Sequence, residues 1–194
     1  MIRRLLILCA VFSLSGIAPA SAHLLAGERG SMAAGFAHPL FGLDHILVMV
    51  AVGLWAYRIG GRAVWAVPCS FVAMMSIGFA FALAGGALPY VEPVILASVV
   101  TLGLLIAFAV RLPVASSALV VGAFAVFHGY AHGAEIGNAG AAAYAGGFAV
   151  ATVLLHVGGV GLGFGVAKLQ RQGDWLARSM GAGTAVAGIV LLLA

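Results

Sequence analysis

"AVWAVPCSFVAMMSIGFAFALAG", residues 63–85, runs for 23 positions without a charged side chain. A helix rises 1.5 Å per residue and the bilayer's hydrocarbon core is about 30 Å thick, so about 20 apolar residues suffice to cross it. This stretch predicts a membrane-spanning helix. Arg58 and Arg62 close it on one side, and Gly86 to Pro89 close it on the other. The same alternation of apolar run and short link recurs along the chain and predicts six spans, near 38–57, 63–85, 90–110, 114–133, 140–167 and 177–194. The links between them leave almost no room for a soluble domain.

Composition agrees with that reading. Of 194 residues, 64% are hydrophobic and 7% charged, and the mean hydropathy is +1.20, far from the roughly half apolar and quarter charged mix of soluble domains. The net charge of +4 arises from nine scattered Lys and Arg, which form no basic stripe, so nucleic-acid binding is disfavoured. The partner implied is the lipid bilayer.

At the N-terminus, Arg3-Arg4, an apolar stretch from Leu5 to Ile17 and the small-residue sequence Ala20-Ser21-Ala22 form the three parts of a secretory signal peptide. Residues 1–22 are therefore expected to be removed, leaving a six-helix transmembrane domain of residues 23–194 with His23 first. Such an end would pair a free amine with an imidazole as a bidentate metal chelate. Cys9 lies within the signal and Cys69 within a span, so the mature chain has no cysteine pair to oxidise.

Positive charge sets the expected orientation. Arg58, Arg62, Arg111, Lys168, Arg171 and Arg178 all fall on alternate connections, which marks those connections as cytoplasmic. The cleaved signal independently places the new N-terminus outside. Both point to an all-α, N-out and C-out bundle in a bacterial inner membrane. Its 28 glycines include pairs at helix-contact spacing, such as Gly78 with Ala82, Gly129 with Gly133, Gly159 with Gly163 and Gly181 with Ala185, which allow close helix approach in lipid.

Against this background the ionisable residues stand out. His38, Asp44 and His45 lie in the outer part of the first span, and His128, His132 and Glu135 at the outer end of the fourth. Glu92 begins the third span, and His156 lies deep in the fifth. An ionisable side chain at the centre of a membrane helix costs at least about 2.5 kcal/mol, so it normally faces a partner or a water-filled cavity. Offsets of zero, four and seven put His128, His132 and Glu135 on one stripe. Pro39 is expected to start the first helix with His38 just before it, and Asp44 suits the role of orienting an imidazole. Imidazole and carboxylate together favour a borderline divalent ion such as nickel, cobalt, zinc or copper.

The segments "HPLFGLDHILVMVAVGLWA" and "FHGYAHGAE" resemble the two signatures of the HupE/UreJ family of bacterial nickel permeases. His38, Asp44 and His45 match its H-x5-D-H pattern. Phe127, His128, Gly129, Ala131, His132, Gly133 and Glu135 match its F-H-G-x-A-H-G-x-E pattern. The resemblance covers essentially the whole chain. It implies import of nickel, with cobalt as the second candidate, across the cytoplasmic membrane for hydrogenase or urease maturation.

On this reading His128 and His132 take up the ion, His38 and His45 face them, and Asp44 and Glu135 reduce the electrostatic cost. Glu92 serves as an outer funnel charge or a helix N-terminal acid. His156 is the next station inward, a proton carrier or a satisfied core histidine. No phosphate-binding loop of the G-x4-G-K-[ST] type is present, so the ion gradient or membrane potential must drive transport. A dication moving inward down 100 mV gains roughly 4.6 kcal/mol. No prosthetic group is expected; nickel is the substrate. The alternative is an intramembrane zinc-dependent hydrolase with Glu135 as base, although no H-E-x-x-H or nucleophile elbow supports it.

Overall fold

A computed structural model describes residues 30–136 and 140–194. The expected signal peptide, His23 and Arg29 lie outside the described residues, as does the end of the link at 137–139. Seven helices and no strand occur among the described residues: α1 (Met32–Phe41), α2 (Leu43–Ile59), α3 (Ala63–Leu83), α4 (Val91–Ala107), α5 (Val114–Ile136), α6 (Ala141–Ala167) and α7 (Gln170–Leu193). By length and apolarity, α3, α5, α6 and α7 can each cross a bilayer, while α1 and α2 qualify only as a pair. Helix α4 is apolar but shorter, at 17 residues.

Three expected boundaries need correction. The first span is not one helix from 38 to 57: α1 and α2 meet at Gly42 with a bend of 83°. Pro39 does not start a helix, because α1 already begins at Met32, where the Ser31 hydroxyl accepts the Ala34 N–H at 3.0 Å. Proline's missing N–H thus falls in the last turns of α1, which ends two residues later. A methyl group at Gly42 would stand 2.8 Å from His45 Nδ1 and 3.1 Å from Asp44 Oδ1. Glycine leaves room there for the ion-pairing side chains that follow. The third span ends at Ala107 instead of 110, since Ala109 has left the helical region at φ 53°. The last helix begins at Gln170 instead of 177; its polar first turns continue the helix beyond the apolar segment.

Helix α2 is the hub. It packs against α1, α3, α4, α6 and α7, and Ala51 through Ala56 are buried at every consecutive position, the pattern of a helix surrounded by protein. The most extensive pairings are α3 with α5, α4 with α7, and α6 with both α1 and α2. Each is made by small residues in reciprocal contact. A methyl group at Gly53 would strike the His156 carbonyl oxygen, and one at Gly159 the Val50 carbonyl oxygen; Gly35 faces Tyr144 and Gly147 faces Met32 in the same way. Gly78 meets Val126, Gly129 meets Met75, and Gly103 with Gly181 joins α4 to α7. Backbones at this separation gain dispersion contacts that lipid tails cannot supply.

Side-chain hydrogen bonds to backbone carbonyls fix the ends. Trp55 Nε1 donates to Val110 O at 2.9 Å, Arg178 Nε to Ala107 O at 2.9 Å, and Tyr130 Oη to Gly86 O at 3.0 Å. Gly60 and Gly61, with φ of 83° and 55°, make the tight link between α2 and α3 in a backbone region that glycine enters at little cost. At this end Arg58 donates to Asp174 of α7. Both residues, with Arg111, line a cavity of about 490 Å³. The basic links α2–α3, α4–α5 and α6–α7 therefore share one end of the bundle.

Candidate metal centre

The opposite end holds the histidines. The bend at Gly42 turns α1 so that His38 comes back over the start of α2, while α5 delivers His132 from across the bundle. His45 Nε2 and His132 Nε2 stand 2.7 Å apart in the buried interior. The His38 ring lies 4.4 Å from that of His132 and 5.3 Å from that of His45, edge-on to both. One nitrogen from each of the three rings lies within 4.8 Å of the others. Among the described residues this is the one place where three such donors meet.

Each facing imidazole has a carboxylate behind it. Asp44 Oδ1 is 2.9 Å from His45 Nδ1, and Glu135 Oε2 is 3.6 Å from His132 Nδ1. An anion at Nδ1 favours the proton there and leaves Nε2 as the lone-pair donor, the usual arrangement behind a metal-bound histidine. Asp44 belongs to the first turn of α2, where its charge also offsets the positive helix end. A helix break at membrane depth is tolerated only where the backbone is buried in protein or lines a cavity, and this one sits beside the histidines.

His128 lies one turn below His132. It is fully buried, and its ring is 5.7 Å from that of His45. Its Nδ1 donates to Phe124 O at 3.0 Å, which leaves Nε2 without a partner. It is thus prepared as a ligand but set back from the three-ring group.

The structure does not bring all the sequence candidates together. Glu92 sits exposed in the first turn of α4, without an ion pair among the described residues. His156 is separated from the others by the Phe71 ring, 5.5 Å from His128 and 5.1 Å from His156. Sequence reasoning also missed the aromatic wall. Phe148 lies 4.6 Å from His132 and 6.0 Å from His45, and Tyr144 stacks on Phe148 at 6.1 Å. The signal was present, because Tyr144, Phe148, Thr152 and His156 recur at every fourth position and are all buried. That makes a single stripe of α6 facing the site.

The match to the HupE / UreJ protein family model spans residues 10–191. The chain is 47% identical over 177 residues to "Protein HupE" of Rhizobium leguminosarum bv. viciae, covering 90% of each. No solved structure matches. With its two histidine segments folded against each other and the family match running nearly end to end, this chain belongs to the HupE/UreJ family.

Proposed function

We propose that this protein is a secondary transporter that admits nickel, with cobalt as a second substrate, from the periplasm across the bacterial inner membrane for hydrogenase or urease maturation. The observation that carries it is the trio His38, His45 and His132, gathered by a broken helix and backed by two carboxylates. Membership in a family associated with nickel and cobalt transport supports the same reading.

On this reading six spans cross the membrane, with the α1–α2 pair counted as one, after a signal peptide is removed. The basic links face the cytoplasm and the histidines face the periplasm. The hydrated ion exchanges water for His38 first, since its side chain is the most accessible of the three, and then for His45 and His132. Two nitrogens each about 2.1 Å from one ion stand roughly 3.0 to 3.4 Å apart. The 2.7 Å separation of His45 and His132 therefore opens by only a few tenths of an ångström. His128 Nε2 receives the ion from below, and Asp44 and Glu135 supply the compensating charge.

A hydrolase is not favoured. Glu135 stands behind His132 at its Nδ1, a position that orients the ring instead of activating a water at the opposite nitrogen.

Radioactive nickel accumulation at nanomolar metal, in cells lacking their own high-affinity importer, tests the proposal. The parent is expected to accumulate nickel, with excess cobalt competing better than zinc. Asp44→Asn at equal membrane abundance should lower uptake by about tenfold or more, the usual cost of removing the group that orients a metal-bound histidine. A well-inserted parent that moves no nickel, yet retains zinc through purification, would sink the transporter reading.

A further inference from the structure

His156 is 2% exposed, and neither of its ring nitrogens has a hydrogen-bond partner. A neutral imidazole carries one donor and one acceptor. Leaving both unmet in an apolar interior is costly, and such a group in a folded chain calls for an explanation in its function. Two sulfur-bearing side chains of α3 lie in its neighbourhood. Thr152, one turn earlier on α6, contacts the Met75 thioether of α3 at 3.8 Å, and Phe71, one turn before Met75, packs edge-on against His156. On the outer side of α3 and α6, His156 and Cys69 line the same groove of about 510 Å³, whose remaining wall is apolar, including Trp65, Val72 and Val153.

Imidazole accepts borderline cations, and among the described residues no carboxylate lines the groove to hold magnesium or calcium. Phe71 stands between this position and His128. Gly53, two turns below His45 on α2, abuts the His156 carbonyl, so His156 lies deeper in the bundle than the histidine trio, toward the basic end.

We propose that His156 forms a second, transient station for the transported divalent cation, and that the Phe71 ring is the apolar plug separating it from the outer cluster. The inference rests on the transporter reading. A station with one strong donor and no compensating charge binds weakly, and weak binding at an inner site permits release.

The test compares His156→Leu and His156→Met in the full-length chain. Leucine and methionine are close in volume, but only methionine retains a metal donor. Three readouts are taken: nickel uptake at equal membrane abundance, nickel binding to the purified protein by equilibrium dialysis, and the thermal midpoint.

The expected result is that His156→Leu binds nickel as tightly as the parent and melts at the same or a higher temperature. Its uptake should fall more than tenfold, while His156→Met retains several times more. Parental uptake in His156→Leu would overturn the proposal. So would equal uptake losses in both variants accompanied by a lowered midpoint, because a packing role does not distinguish the two side chains. If the parent itself binds or moves no nickel, the transporter reading fails and the inner station with it. When the parent transports, the variants judge the station alone.

Discussion

His132→Ala is expected to reduce nickel uptake by about a hundredfold at nanomolar metal, with the protein still present in the membrane. His132 is the only residue of the trio placed by α5, and it is the one whose Nε2 meets His45 Nε2 at 2.7 Å. Its removal leaves His38 and His45, both carried by the broken α1–α2 pair, without the opposing donor that would close around an ion. Removing a group that only orients a metal-bound histidine costs about 10- to 100-fold, so loss of the ligand itself is expected at the upper end of that range. The same change strands Glu135, whose carboxylate then faces no imidazole. Equilibrium dialysis with nickel should show the loss as weaker binding, and raising external nickel to micromolar levels should recover part of the uptake. Unchanged binding and uptake would remove His132 from the ion path.

The second large effect concerns a residue with no side chain. Gly129→Ala should prevent recovery of folded protein or lower its stability by about 3 kcal/mol, the upper end of the usual cost of overpacking. Gly129 lies between His128 and His132, and the added methyl would overlap the Met75 carbonyl oxygen and crowd Phe79 N. Backbone cannot step aside as a flexible side chain can, so α5 would have to move away from α3. Both of its histidines would move with it, since His128 packs against Phe71 of α3 and His132 against His45 of α2. Gly146, in contrast, has open space where a methyl would go, and Gly146→Ala should behave as the parent in a thermal melt and in uptake. A Gly129→Ala protein as stable as the parent would show that the α3–α5 contact is looser than described.

The glycine pairs explain why the fold was legible in outline and the site only in part. Gly129 with Gly133 and Gly159 with Gly163 could be recognised as contact stripes from their spacing alone. That Gly129 opposes Met75, and Gly159 opposes Val50 and Gly53, depends on which stripes meet, and several matched stripes were available. His128 and His132 are four residues apart and both are buried on α5, as helical periodicity requires. Periodicity did not distinguish the ring that joins the trio from the one set back against Phe124.

In the first segment local reasoning failed outright. Proline is a good helix starter, and that rule placed His38 ahead of a helix, whereas the Ser31 cap and the contacts of Gly35 with Tyr144 and of Gly147 with Met32 extend α1 from Met32 through Pro39. The break moved to Gly42, and with it the position of His38.

Hydrophobicity and charge, which act residue by residue on transfer into lipid, settled that this chain is a bundle of apolar helices with ionisable residues concentrated in two short segments. They also separated the basic links from the histidine-bearing end. Three other features required the folded backbone: the 83° turn at Gly42 that carries His38 to His132, the Phe71 ring between His128 and His156, and the packing of Phe148 against His132 and His45. Each joins residues far apart in the chain. Their proximity follows from close backbone contacts at opposed glycines, and a one-dimensional pattern specifies the faces of a helix but not the face it will meet.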